Sequence, residues 1–328
     1  MRAVVVENRG EPDVLTLTES PVPTIGSQDV LIAVEAAGVN YADLMQHRGT
    51  YPLRLPLPYV AGMEAIGRVV AAGPACQRFA VGDRVAAISF AGGAYAEHLC
   101  VPEAMAFLVP EDADAGFVLA LLIQGLTAHA LLSQSARLRE GERALVHAAA
   151  GGVGLLSIQL ASSAGAGRII GVVGDDQKAA LVKEAGADLV INRKTEDWVS
   201  RLSGEGDKVD VVLDPVGASN TAGHLAVLGD GGRIVFYGWL SGACPDLTSE
   251  QTQAMLFANQ SLVGFALDAL FRLQSDHVQT IWADLMQMLS NGVLKPRALM
   301  LEGLESASAA HGSLAKGDNQ GKLCLKVS

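Results

Sequence analysis

Along the first third of the chain, apolar residues come in short β-branched runs cut by Gly, Pro and Asp. AVVVE (3–7), VLTLTE (14–19), DVLIAVEAAGV (29–39), AIGRVVAAG (65–73) and DRVAAIS (83–89) each predict a strand. VGDRV (81–85) predicts a turn, with Gly82 and Asp83 supplying its chemistry. From about 117 the rhythm becomes helical in FVLALLIQGLTAHALLSQSA. Strand and helix then alternate. ALVHA precedes a glycine loop and an apolar helix, RIIGVVG precedes DQKAALVKEAG, and DLVIN precedes TEDWVSRLSG. VDVVLDPVG precedes SNTAGHLAVLG, and GRIVFYGWL closes the series. Buried-looking strands spaced by helices predict a doubly wound α/β domain with a parallel sheet. Near 255 the alternation stops. DHVQTIWADLMQMLSNG places Val278, Ile281, Trp282, Leu285 and Leu289 on one helical face, ended by Asn291-Gly292, and KLCLKVS predicts a last strand. The expected division is a β-rich segment over 1–120, an α/β domain over 121–254, and a return to the first domain over 255–328.

Composition narrows the classes. The longest uninterrupted apolar run, Phe117 to Ile123, falls far short of the ~20 residues a bilayer span needs. MRAVVVENRG carries no signal-peptide pattern, so the expectation is a cytoplasmic protein without a membrane span. Acidic residues outnumber basic ones by 35 to 24 with no basic tract, which excludes nucleic acid as the main partner. Cys76, Cys100, Cys244 and Cys324 lie far apart without a CxxC, against both a disulfide scaffold and a zinc ribbon.

The chemistry concentrates in LVHAAAGGVGLLSIQLASSAG (145–165). Aligned on its last glycine, the loop reads Ala149-x-Gly151-x-x-Gly154, with Ala in the place of the usual first glycine, Gly152 as an extra and Val153 between. Gly151 allows main-chain N–H groups close to a pyrophosphate, Gly154 lets the helix sit against the sheet, and the helix N-terminus faces the negative charge. A strand before and a helix after supply the context that a dinucleotide fingerprint requires. The next strand ends at Gly174, with Lys178 four residues on, and Arg193 follows the third strand. These cations suit the 2′-phosphate of NADP(H), whereas Asp175 and Asp176 would suit the ribose of NAD(H); NADP(H) is the expectation.

With these stretches, AAGVNYADLMQHRGTYP, PYVAGMEAIGRVVAAG, IQGLTAHALL, HAAAGGVG and VDVVLDPVG, the chain resembles the zinc-free quinone oxidoreductases of the medium-chain dehydrogenase/reductase superfamily over nearly its full length. AGMEAIG and LVGFAL are similar to the vesicle amine transport protein homologues, and GVNYAD to the enoyl reductase domains of polyketide synthases. The resemblance implies a GroES-like catalytic domain beside a Rossmann domain, an active site in the cleft, and a homodimer. The zinc-dependent relatives have Cys where Asn40 stands and His where Met63 stands, and neither Asn nor Met is a normal zinc ligand. No metal is therefore expected.

In the resembled family NADPH delivers hydride to a quinone or to the β-carbon of an enone. Tyr41 matches a tyrosine that can protonate the resulting enolate; water is the alternative proton source. Asn40 matches the amide near the nicotinamide, and Tyr51 the substrate-side tyrosine. On the cofactor, Thr127 matches a residue near nicotinamide and phosphates, and Lys178 the lysine on the 2′-phosphate. Arg193 stands where relatives often have Tyr; its fork suits phosphate. Gly217, Tyr237, Gly238 and Val263 match the nicotinamide side, and Asn319 and Lys322 the C-terminal segment that returns to the cofactor. His47, His98, His129 and His147 invite a proton relay, but His147, beside the glycine loop, reads as a packed histidine without a role. Two other readings stand beside the quinone or enone reductase. One is a stand-alone enoyl reductase for acyl chains on a carrier protein, with Arg48 and Arg54 as its cationic rim. The other is an NADPH-binding sensor with little turnover.

Overall fold

The computed structural model describes residues 1–204 and 208–327. The chain forms two units, Met1–Ile123 with Pro296–Ser328, and Gln124–Lys295.

The first unit is organised on the strand Asp29–Val39, a proline-free β-branched run buried along most of its length. It pairs antiparallel with Glu64–Ala72, with His98–Pro102 and with the C-terminal strand Lys322–Lys326. Val30, Ile32 and Val34 pack with Val69, Val85, Val101 and Leu325 into one core, each fully buried side chain contributing about 1.5–3 kcal/mol. The register sets Gly38 opposite both Glu64 and Cys324. A side chain at 38 would run into the Glu64 carboxyl and the Lys322 stem, so glycine keeps that space for the ion pair described below. A smaller antiparallel sheet joins Leu15–Glu19, Arg2–Val6 and Tyr59–Val60. Gly82 adopts φ +101° at the turn before Arg84–Ile88, as VGDRV predicts.

The second unit is a six-stranded parallel sheet flanked by helices. Its strand order is Leu189–Asn192, Arg168–Val173, Arg143–Val146, Val209–Asp214, Leu228–Phe236, Ser261–Gly264. In chain order the sequence of strands is 3-2-1-4-5-6. The direction of winding reverses between Arg143–Val146 and Val209–Asp214, and crevices outside the carboxyl ends of such a switch point bind ligands.

Two expectations need correction. The alternation does not stop near 255, because Ser261–Gly264 adds a sixth strand beside Leu228–Phe236. At four half-exposed residues it lacks the apolar run that marks a buried strand. With the helix Leu267–Ser290 it belongs to the second unit, which ends at Lys295 rather than 254. That helix buries Val278, Ile281, Trp282 and Leu285, leaves Leu289 half-buried, and breaks at Gln274 (φ −149°, ψ 49°). Second, the helical stretch Ala115–Ala136 is long and apolar enough to cross a membrane, which the uninterrupted run 117–123 did not suggest. Gln124, Thr127 and His129 interrupt the run without lowering its average much. In the fold 72% of its most apolar window is buried, as in a core helix.

Candidate active site

After Arg143–Val146 the chain turns sharply, with Ala148 at φ +49° and the Gly151 N–H donating to Ala148 O at 2.9 Å. The left-handed residue is Ala148. Ala149, set by the alignment at the first-glycine place, is fully buried and donates its N–H to Val172 O of the neighbouring strand at 3.1 Å. Gly151 caps the helix Gly152–Ser163. The bond from Leu155 N–H to Gly151 O (2.9 Å) closes the first turn, so the amides of Gly152, Val153 and Gly154 have no carbonyl behind them and point out as anion donors. A Cβ on Gly154 would lie 2.5 Å from Ala148 O and 2.8 Å from Ala149 Cα, the close helix contact expected of the third glycine. Gly152 is no mere extra. The side-chain amide of Gln124 lies where its Cβ would be, and Gln124 Oε1 is buried without a hydrogen-bond partner among the described residues. Thr127 is buried in Leu126–Ala130, between two π-helical turns.

On the adjacent strand ends, Arg193 N–H donates to Val173 O at 2.9 Å, which brings its side chain back over Gly174. The guanidinium lies 3.5 Å from where a Cβ on Gly174 would stand. Lys178 ends the turn Asp176–Lys178. The two aspartates are committed locally: Asp175 accepts from Gln177 N–H, and Asp176 from Asn192 Nδ2, both at 2.9 Å.

Beyond the switch point, the Asp214 carboxyl accepts from the N–H groups of Val216 (2.8 Å) and Gly217 (3.1 Å), and burial pushes its pKa up to about 6. Gly217 adopts φ +89° against Ala243 O, and a Cβ on Gly238 would meet Pro215 O at 2.8 Å, so both glycines keep two loops in contact. Tyr237 donates its N–H to Asp214 O at 3.0 Å, and burial raises its phenol pKa. Val263 sits half-buried inside the edge strand, paired with Val235. His147 packs edge-on against Trp198 and His224, with ring centroids 4.9 and 4.8 Å apart, and burial drives its pKa well down.

In the first unit, Asn40 precedes the helix Tyr41–Arg48 and is buried. Its Oδ1 accepts from Lys322 Nζ at 2.7 Å, and its Nδ2 donates to Glu64 Oε1 at 2.8 Å. Lys322 Nζ also pairs with Glu64 Oε1, and Glu64 Oε2 accepts from Ile123 N–H at 2.9 Å. Lys322, carried over as a cofactor-side cation, is completely buried with its charge on Glu64. Asn40 keeps one amide hydrogen beyond those contacts. Met63 is buried beside this group. Among the described residues no three His, Cys, Asp or Glu side chains are grouped to hold a metal ion. Tyr41 is partly exposed, and its hydroxyl has no hydrogen-bond partner among the described residues. Tyr51 follows the helix and donates its N–H to Met45 O, and Asn319 Nδ2 donates to Gly321 O at 3.0 Å. Arg48 pairs with Glu11 at 2.5 Å, while Arg54 is exposed. Sequence reasoning missed Glu64, whose signal was its place next to Met63, and Asp43, which lay inside the quoted GVNYAD.

The alcohol dehydrogenase GroES-like domain family matches residues 26–111, and the zinc-binding dehydrogenase family matches residues 152–290. A quinone oxidoreductase of Rattus norvegicus is 32% identical over 329 residues, spanning 99% of this chain and 97% of its own. A synaptic vesicle membrane protein VAT-1 homolog of the same species is 32% identical over 341 residues, spanning 99% and 84%. The structure of Escherichia coli quinone oxidoreductase complexed with NADPH superposes with a TM-score of 0.92 at 30% identity, covering 99% of this chain and 100% of that one.

Proposed function

Because the chain belongs to the medium-chain dehydrogenase/reductase superfamily, alongside quinone oxidoreductases, we propose that it is an NADPH-dependent, zinc-independent reductase of quinones or α,β-unsaturated carbonyls. When bound, NADPH supplies a hydride to an electron-poor carbon of the substrate. The amides of Gly152, Val153 and Gly154 hold the pyrophosphate, and Arg193 with Lys178 takes the 2′-phosphate. One observation carries the cofactor choice: Arg193 lies over Gly174 while Asp175 and Asp176 are turned to local partners. Thr127, Gly217, Tyr237, Gly238 and Val263 remain the residues that the family resemblance assigns to the nicotinamide side.

In the first unit, Lys322 and Glu64 fix the Asn40 amide so that its remaining N–H can donate to a substrate carbonyl. Hydride addition leaves an enolate or quinol anion, and the unpaired Tyr41 hydroxyl supplies its proton. Tyr51 lines the substrate side. The donor set does not suit zinc. An amide and a thioether stand at two ligand positions, and Glu64 is already neutralised by an ammonium. No step therefore runs through a metal.

The carrier-bound enoyl reading has less support, since Arg48 of its cationic rim is paired with Glu11. The proposal includes a homodimer. Among the described residues the strand Ser261–Gly264 lies at the sheet edge with no strand on its far side, and Leu256 and Phe257 nearby in the chain are 70% and 80% exposed. Mixing the purified protein with NADPH and 1,4-benzoquinone, 9,10-phenanthrenequinone or an enone tests the activity. Loss of reduced-nicotinamide absorbance supports a reductase, and tight binding without oxidation supports a sensor instead.

A further inference from the structure

Beneath Asn40 the first unit buries a second polar chain that the reduction scheme does not use. His47 Nδ1 meets Gly10 O at 2.7 Å, and His47 Nε2 meets His311 Nδ1 at 3.1 Å. His311 Nε2 meets the Tyr95 hydroxyl at 3.0 Å, and the same hydroxyl meets Asp43 Oδ2 at 3.3 Å. Asp43 Oδ2 also accepts from Asn40 N–H at 2.8 Å, and Oδ1 is buried without a hydrogen-bond partner among the described residues. All four side chains are at most 3% exposed.

The four contacts need one proton each. Gly10 O brings none, each neutral imidazole brings one, and Tyr95 brings one. The carbonyl fixes the His47 proton on Nδ1, which forces His311 to donate through Nδ1 and Tyr95 to donate to His311 Nε2. The tyrosine then has nothing left for Asp43. With a carboxylate at 43, one buried contact stays empty wherever the protons are placed.

We infer that Asp43, Tyr95, His311 and His47 form a closed array holding one proton beyond those of neutral histidines and tyrosine, that the proton resides on Asp43, and that Asp43 is thereby a positioning residue for Asn40. Burial acts in the same direction, raising the Asp43 pKa to about 7 and lowering that of His311 to about 3. The groups facing the array are Lys322, Glu64 and Tyr59 at Asp43, Glu64 and Cys324 at Tyr95, and Arg48, Glu11 and Asp13 at His47. If the proton leaves, Lys322 faces two carboxylates instead of one and its hold on Asn40 Oδ1 loosens. The role at Asn40 rests on the reductase reading; the stored proton does not.

The test is 13C NMR of aspartyl carboxyls with 15N NMR of the histidine rings. One carboxyl resonance should titrate near pH 7 and vanish in Asp43→Asn, with both rings neutral at pH 6. Asp214→Asn identifies the other elevated carboxyl, so the assignment stands by elimination even if Asp43→Asn fails to fold. An asparagine nitrogen at the Oδ2 position donates to Tyr95 without an acid, and that atom then no longer accepts from Asn40 N–H. The raised pKa of Asp43 gives stability that is whole below about pH 4 and lost as pH rises through about 7. The unfolding midpoint of Asp43→Asn relative to the parent should therefore climb over that window and then level. In an active enzyme, kcat/KM should also fall above pH 7 in the parent and stay flat in Asp43→Asn. An Asp43 carboxyl already ionised at pH 6, an imidazolium on either histidine, or a midpoint difference that ignores pH would overturn the stored proton. An inactive protein with the expected spectra would overturn the reductase reading and the role at Asn40, leaving the proton in place. An active enzyme whose pH profile is unchanged by Asp43→Asn would overturn the positioning role alone.

Discussion

Lys322 Nζ donates to Asn40 Oδ1 across 2.7 Å, although 282 positions separate the two residues in the chain. The same ammonium neutralises Glu64, and neither charged side chain has any exposure. Removing one partner of such a pair leaves an uncompensated buried charge. Lys322→Met should therefore cost about 3–5 kcal/mol in chemical denaturation. The double variant Lys322→Met/Glu64→Gln should recover most of that loss. A single variant as stable as the parent would show that the pair does not hold this site together.

Arg193→Ala removes the cation over Gly174. Charge-assisted hydrogen bonds contribute about 1.5–3 kcal/mol, so the Kd for NADPH should rise by about 10- to 150-fold. NADH affinity should barely change, because its ribose carries no phosphate there. Fluorescence titration with both coenzymes reads this directly, and a parallel loss for both would point to a general structural effect.

Gly154→Ala places a methyl against the backbone of Ala148 and Ala149, which cannot swing aside as a side chain would. The loop helix must back away from the strand. NADPH binding should weaken at least tenfold by isothermal titration, with a lower melting temperature. Normal binding by this variant would argue that the helix N-terminus does not contact the coenzyme.

Acid should unfold the protein through its buried histidines. Burial lowers His224 and His311 to about 3 from an ordinary value of 6.5. A depressed histidine pKa gives stability that is present above 6.5 and lost as pH falls toward 3. Each ring should cost about 2 kcal/mol at pH 5 relative to pH 7.5. Urea midpoints across this range should fall for the parent and fall less for His224→Phe. Equal slopes for the two would mean that His224 is not held neutral.

Phe257→Asp should shift a homodimer toward monomer in size-exclusion chromatography with light scattering, by placing charge near the sheet edge. A parent that elutes as a monomer at all concentrations would remove the dimer from the proposal.

Much of this architecture was readable from local pattern. DVLIAVEAAGV coincides with the strand Asp29–Val39, and the glycine loop lies between a strand and a helix as its spacing requires. The strand SLVG was not readable, because four half-exposed residues carry no burial signature, and missing it moved the domain boundary by some forty positions. The loop site was legible because its residues are neighbours in sequence. The Asn40 site was legible only by resemblance, since Glu64 and Lys322 lie 258 positions apart. His311 sits in a polar-looking helix, ASAAHGSLAK, and nothing local marks it as the partner of His47 and Tyr95.

Metal-free hydride transfer from NADPH is tested most directly by NADPH oxidation by chelator-treated protein with 9,10-phenanthrenequinone. We predict quinone-dependent loss of reduced-nicotinamide absorbance, faster with NADPH than with NADH and unchanged by added zinc. No oxidation of either coenzyme, or oxidation only after zinc is restored, would contradict it.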